Sequence, residues 1–268
     1  MIEPCFFADE VSRDFEEAVR LGAEAGATAI ELRGGIWGRA VQSCTDEDVA
    51  RMQQVLAAHG ARVAVIGSPV GKCALDDDEE CRQHLEWFDR MCELAHRFGA
   101  RVIRGFAFWA PRQSEGDRPD LSPYLDRITE RLAPITKRAE AEDVLYCLET
   151  EGSTMTGTCA EIAAVIEALG GSGHLGATWD VNNGWDCGEL PLPDGYAHVR
   201  GRVHHVHVKP NARKSIETVA DSPVAYAQVV RALRADGYAG FFGVEHWGSP
   251  ELMLEGVRQV KALLSQDG

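Results

Sequence analysis

The chain has 268 residues, 45% of them hydrophobic, and a formal net charge of −15. That length fits one α/β barrel or two smaller domains, with enough apolar material for a full core. The acidic balance argues against a nucleic-acid backbone as partner, which needs a basic footprint, but not against a small anionic substrate held by a few local cations. No apolar run approaches the length of a membrane span, and Met1-Ile2-Glu3-Pro4 does not read as a signal peptide. The eight cysteines are scattered with no C-x-x-C pair, the usage of a reducing, cytoplasmic compartment and not of a disulfide framework.

In chain order, Phe6-Phe7-Ala8 opens as a strand closed by Asp9-Glu10, with Ser12 as the cap of the next helix. Ala27 to Arg33 reads as the second strand, with Glu31 and Arg33 on one face, followed by Gly34-Gly35 and Trp37. Thr45 caps a helix with acidic first-turn residues. Arg62 to Ile66 is the third strand, leading into Gly67-Ser68-Pro69-Val70-Gly71-Lys72. The acidic run Asp76–Glu80 is a solvated approach to a helix over Cys81–Phe98. Arg101 to Arg104 is the fourth strand, and the polar segment Pro111–Pro123 is a long loop before a helix over Tyr124–Ala141. The fifth strand ends at Glu149, with a helix near Cys159–Leu169, and the sixth ends at Asp180. A short helix near Gly195–Val199 precedes Val203-His204-His205-Val206-His207-Val208-Lys209. Valines bracketed by Gly201 and Pro210 make that stretch the seventh strand, with His205, His207 and Lys209 on one face. A helix over Val224–Ala235, a strand over Gly240–Val244 and a helix over Pro250–Leu264 close the chain.

Eight strand–helix alternations without a linker predict a single (β/α)₈ TIM barrel over residues 1–268. An open doubly wound sheet is disfavoured, because no G-x-G-x-x-G turn follows the first strand. In a barrel, the C-terminal strand ends converge on one mouth. Glu149, Asp180, His207 and Glu245 end four consecutive strands, at intervals of 31, 27 and 38 residues. Three carboxylates converging without a cation repel one another. A divalent ion resolves this, and oxygen-rich ligation with one nitrogen suits Mn²⁺ first, with Mg²⁺, Co²⁺ or Zn²⁺ also compatible. Such an ion polarises the hydroxyl–carbonyl pair of a sugar and stabilises the enediolate formed on deprotonation. Glu149 and Glu245, on strands five and eight, flank the substrate as the proton-exchanging pair. Arg33, Lys72 and Arg104 either hold a carboxylate or phosphate of the substrate or balance the charge of Glu10, Glu31 or Glu151 inside the mouth. Trp37, Trp109, Trp185 and Trp247 follow strand ends, where they stack on a sugar ring or pack loops together. Glu151 shares a face with Glu149 and serves as a further base or a hydroxyl acceptor.

The set CLETEG, TWDVNNG, HVHVK and GVEHWG resembles the sugar phosphate isomerase/epimerase group of xylose-isomerase-like barrels, and FADEVS, IELRG and IGSPVGK look like a subgroup of it. The resemblance covers essentially the whole chain. It implies Glu149, Asp180, His207 and Glu245 as metal ligands, Glu149 and Glu245 as the acid–base pair, and Lys209 as a contact to substrate oxygens. Many members carry Asp-x-x-His on the sixth strand, where this chain has Asp180 and Asn183, which is counted here with the substrate-binding residues. Many also carry a histidine where this chain has Glu151. The implied activity is isomerisation or epimerisation of a small sugar or sugar derivative. The alternative is a lyase or dehydratase acting on a keto-sugar or oxidised glycoside, and a third reading is an inactive sugar-binding or partner subunit. The nuclease branch of the fold uses histidines at strands three and four, and this chain has Ser68-Pro69 and Arg104-Gly105-Phe106 there. No nucleic-acid or membrane partner is expected, and oligomer formation is compatible with the sequence.

Overall fold

The computed structural model describes residues 1–111, 118–210 and 224–266. Eight strands alternate with helices: β1 (Glu3–Phe7), β2 (Ala29–Leu32), β3 (Arg62–Gly67), β4 (Val102–Gly105), β5 (Leu145–Glu149), β6 (Leu175–Asp180), β7 (Val203–Val208) and β8 (Phe241–Val244). They pair in parallel and in sequence order, and β1 pairs with β8 to close the barrel. The helices are α1 (Ala8–Val11), α2 (Phe15–Ala25), α3 (Asp46–His59), α4 (Asp78–Phe98), α5 (Leu125–Ala141), α6 (Cys159–Ala168), α7 (Val181–Asp186), α8 (Tyr196–Val199), α9 (Tyr226–Ala235) and α10 (Pro250–Ser265). Among the described residues, no helix is long and apolar enough to cross a membrane.

Local chemistry sets most helix starts. Thr45 and Asp48 form a reciprocal capping box on α3, and Thr158 and Glu161 form one on α6. Asp77 caps α4 by accepting from Glu79 N and Glu80 N, so the acidic run lies across the start of that helix and α4 begins before Cys81. The expected cap at Ser12 is corrected. Asp14 caps α2, accepting from Glu17 N, while Ser12 accepts from Asp14 N and donates to Glu17. A short turn of helix over Ala8–Val11 intervenes and shifts the start of α2 two residues onward. Part of the expected loop Pro111–Pro123 lies outside the described residues.

Two apolar layers leave one end of the barrel free for chemistry. The larger core packs the outward strand residues, Phe6, Ile30, Ile66, Ile103 and Leu148 among them, against the helices. A smaller cluster contains Cys5, Ala29, Val65, Val102, Leu145 and Cys147. Strand alternation puts Ala29 on the face of Glu31, Val102 on that of Arg104, and Leu145 and Cys147 on that of Glu149. The small cluster is therefore the floor beneath a polar layer at the C-terminal strand ends. Glycines on that face make room for the layer: a Cβ at Gly243 would meet His205 Nε2 at 2.8 Å, and one at Gly67 would meet Glu31 Oε1 at 3.0 Å.

Candidate metal centre and substrate cleft

The ends of β5, β6 and β7 and the residue after β8 bring Glu149, Asp180, His207 and Glu245 together, all buried. One ligand atom from each lies within 4.8 Å of all the others. An ion bonded at ~2.1 Å to its ligands spaces them ~3 to ~4.2 Å apart, so a small contraction of this group would seat one. Three carboxylates and an imidazole suit a hard or borderline divalent cation. The residues therefore fit one, although the donor set does not select which.

Each donor is held by its neighbours. Asp180 caps α7 by accepting from Asn183 N at 2.9 Å through Oδ1, which turns the buried Oδ2 towards Lys209 Nζ at 2.8 Å. Lys209 Nζ also reaches Glu245 at 3.2 Å and Asn183 Oδ1 at 2.7 Å. Asn183 donates to Thr150 O, and Thr150 Oγ1 donates to Asp180 O, tying the ends of β5 and β6 together. Tyr226 accepts from Lys209 N at 2.8 Å, and its hydroxyl contacts Asn182 Oδ1 and Lys209 O. Arg33 donates to Glu245 at 2.9 Å, and Arg104 lies 3.3 Å from Glu149.

The imidazole of His207 lies among three carboxylates. Nδ1 is 3.1 Å from Glu149 and 3.9 Å from Asp180, whereas Nε2 is 2.8 Å from Glu31. The same Glu31 oxygen is 2.7 Å from His205 Nε2. Glu31, His205 and His207 also form a group of potential ligands. Their hydrogen-bond distances and the Arg104 guanidinium 3.4 Å from Glu31 leave little place for a second cation there.

Burial and charge shift these groups in opposite directions. Burial works to raise Glu149, but Arg104, His207 and Lys209 prevail and bring it down to about 2. Burial raises Asp180 to about 6, helped by Glu245 and Glu149 against Lys209 and His207. Burial would raise Glu31, yet the two histidines hold it well below its ordinary value. Burial would lower His207, but Glu31 and Glu149 lift it well above the usual histidine range. Burial keeps His205 low despite Glu31.

A cleft of about 290 Å³ opens over this layer, lined by Glu149, Glu245, Lys209, Arg33, Lys72 and Glu151 among others. Lys72 pairs with Glu151 at 2.9 Å and lies 4.3 Å from the centre of the Phe106 ring. Arg33 is stacked between Phe7 and Trp247. Trp37 does not line the cleft. Its ring packs edge-on against Phe15 and under the Arg51 guanidinium, on the outer side of the loop after β2. Trp37, Phe108 and Trp247 have φ of 46°, 65° and 54°, a left-handed conformation that is costly for bulky residues and concentrates at functional sites.

The sequence reading named Glu10 and Glu31 only as charge partners inside the mouth and His205 only as sharing a face with His207, assigned none of them to the donor group, and passed over Tyr226. Alternation put Glu31 on the face of Arg33 and His205 on that of His207, which was the available signal. The pairing of β2 residues with β7 residues across the barrel carries no local signature.

The fold and centre define a class. The profile of the xylose isomerase-like TIM barrel family matches residues 19–263, and the chain belongs to that family. No curated protein matches the sequence. Among solved structures, L-ribulose 3-epimerase is similar, with 19% identity, a TM-score of 0.76 and coverage of 98% of this chain and 95% of the other. The probable 3-DHS dehydratase AsbF, involved in petrobactin synthesis in Bacillus anthracis, is 17% identical with a TM-score of 0.75, over 97% of this chain and 99% of its own. A xylose isomerase-like barrel from Mycobacterium smegmatis, solved in complex with magnesium, is 18% identical with a TM-score of 0.74, over 98% and 96%. At these identities the likeness is one of fold.

Proposed function

We propose that the chain is a divalent-cation-dependent isomerase or epimerase that moves a proton at a carbon next to a carbonyl in a sugar or sugar derivative. The observation that carries this reading is the double role of Glu149 and Glu245. Both belong to the converged donor group, and both line the cleft, whereas Asp180 and His207 lie fully buried beneath. A divalent cation held by Glu149, Asp180, His207 and Glu245 would supply a Lewis acid for a hydroxyl–carbonyl pair. Arg33 fixes Glu245, and Arg104 with His207 fixes Glu149, so each carboxylate is aimed before substrate enters. One takes the proton from carbon and the other returns one. Lys209 and Glu151 are placed to contact substrate oxygens. A nucleic-acid substrate forms no part of this reading, given the net charge of −15.

The similarity to a dehydratase supports a second reading, in which the same proton removal is followed by departure of a β-substituent in place of proton return. One experiment tests both. Protein loaded with Mn²⁺ or Mg²⁺ is incubated in D₂O with a panel of ketoses, keto-glycosides and their phosphate esters. Deuterium incorporated at one carbon with mass otherwise retained supports epimerisation or isomerisation, and loss of water or an alcohol supports the lyase. Failure to bind a divalent cation, or turnover with full retention of the carbon-bound hydrogen, would remove the proposed mechanism.

A further inference from the structure

Four cationic side chains line the cleft, and among the described residues each is already committed to a carboxylate. Arg33 pairs with Asp9, Glu10 and Glu245, at 3.0, 3.1 and 2.9 Å. Arg104 lies 3.4 Å from Glu31 and 3.3 Å from Glu149. Lys72 is held by Glu151, and Lys209 by Asp180 and Glu245. Seven carboxylates thus face four cations, leaving three negative charges when His207 is neutral. A divalent ion at the centre would still leave one. The segments outside the described residues add no positive excess by sequence. Residues 112–117 carry Arg112 against Glu115 and Asp117, and residues 211–223 carry Arg213 and Lys214 against Glu217 and Asp221.

A second observation concerns the backbone. Phosphate-binding barrels often use N–H groups in the loops after strands seven and eight. Here the N–H groups of His246 and Trp247, just after β8, both donate to Glu10 Oε2, at 2.7 and 3.0 Å. A carboxylate of the chain itself occupies the place an anion would take.

We infer that the cleft takes an uncharged polyhydroxyl compound, a free sugar or glycoside, and not a sugar phosphate or sugar acid. The inference rests on the sugar-directed reading above. A volume of about 290 Å³ accommodates about one sugar ring. Carboxylates and paired ammonium groups offer acceptors and donors to hydroxyls without requiring net charge. The exposed rings of Trp109 and Trp247 lie in the loops after β4 and β8, where a further ring or aglycone would emerge.

The test titrates Mg²⁺-loaded protein with inorganic phosphate by calorimetry. Wild type is expected to show no saturable binding tighter than ~1 mM, and Glu151→Gln, which releases Lys72, is expected to gain it. Phosphate binding by wild type below that limit, lost in Lys72→Ala, overturns the inference. Failure of a folded Glu151→Gln variant to gain binding overturns the argument that committed cations exclude the anion. In the D₂O panel, exchange is expected in unphosphorylated members, and exchange confined to phosphate esters also overturns it. Exchange with no member counts against the proposed reaction, and the phosphate titration then decides the charge inference separately.

Discussion

Glu31 offers the sharpest test of how the centre is built. Its Oε2 meets His207 Nε2 at 2.8 Å and His205 Nε2 at 2.7 Å, and all three residues are fully buried. An N–H at Nε2 donated to Glu31 leaves Nδ1, which faces Glu149 and Asp180, as the nitrogen that would give up its proton when a cation binds. Phe7 and His205 pack on the ring, with centroids 5.2 and 4.9 Å away, and resist its rotation. Glu31→Gln removes the charge that balances Arg104 and the imidazoles. It also turns an amide N–H₂ either towards Arg104 or towards the two ring donors, and neither arrangement is satisfied. Loss of such an outer partner weakens metal binding ~10–100-fold, or ~1.4–2.8 kcal/mol. The assay is a Mn²⁺ titration by calorimetry on wild type and variant, with circular dichroism as a check of fold. Leaving Arg104 with one fewer counter-charge also lowers stability, by up to ~3–5 kcal/mol, which thermal unfolding of the metal-free protein reads separately. His207→Ala is the reference and should bind more weakly still. A folded Glu31→Gln variant with wild-type affinity, beside a His207→Ala variant that has lost it, would refute the positioning role.

Three further outcomes follow from individual contacts. Lys209→Met removes a cation that shares Asp180 and Glu245 with any bound ion, so divalent binding should tighten ~10-fold or more in the same titration; weaker binding would show that the ammonium is needed to shape the donor group. Gly243→Ala places a methyl against His205 Nε2, at 2.8 Å from an ideal Cβ, and should cost ~1–3 kcal/mol in urea unfolding together with some metal affinity; a stability equal to wild type would mean the buried histidines can yield. Thr45→Ala deletes the acceptor for Asp48 N at the start of α3 and should cost ~1 kcal/mol with no change in metal binding, read from the same two assays.

The barrel was legible because its signals are local and repeated. Most strands are short apolar runs ended by a polar residue, and several helices begin at a side-chain cap such as Thr45 or Thr158. The four converging donors were legible for the same reason: each ends its own strand at the spacing of one β/α unit. Partners across the barrel were not. Glu31 and His207 are 176 residues apart, and Arg33 and Glu245 are 212 apart. Alternation gives each its face but not its neighbour. For Arg33, Lys72 and Arg104 the sequence left two roles open, substrate anion or internal carboxylate, and the structure places a carboxylate beside each. Trp37 shows the limit from the other side. Its position after a strand end suggested the mouth, yet the left-handed turn at Trp37 carries the ring out against α2 and α3.

The layering explains how one end of this barrel can hold seven carboxylates without unfolding the rest. The charged layer sits above a floor of Cys5, Ala29, Val65, Val102, Leu145 and Cys147, and the helices pack on the opposite face of the same strands. Charge changes in the upper layer reach the main core through strand backbones that are hydrogen-bonded on both sides and through Phe7, whose ring meets His207 and Arg33. Within the layer, Arg104 of β4 is buried among Glu31 of β2, Glu149 of β5 and the ring of Phe106 and couples those strands directly. On the proposed reading the strand-end carboxylates Glu149 and Glu245 carry the proton transfer, while the Lys72–Glu151 pair and Trp247 stand in loops above them. On the same reading, replacements at Lys72, Glu151 or Trp247 would alter which compound the cleft holds, and replacements at Glu149 or Glu245 would remove the proton transfer itself.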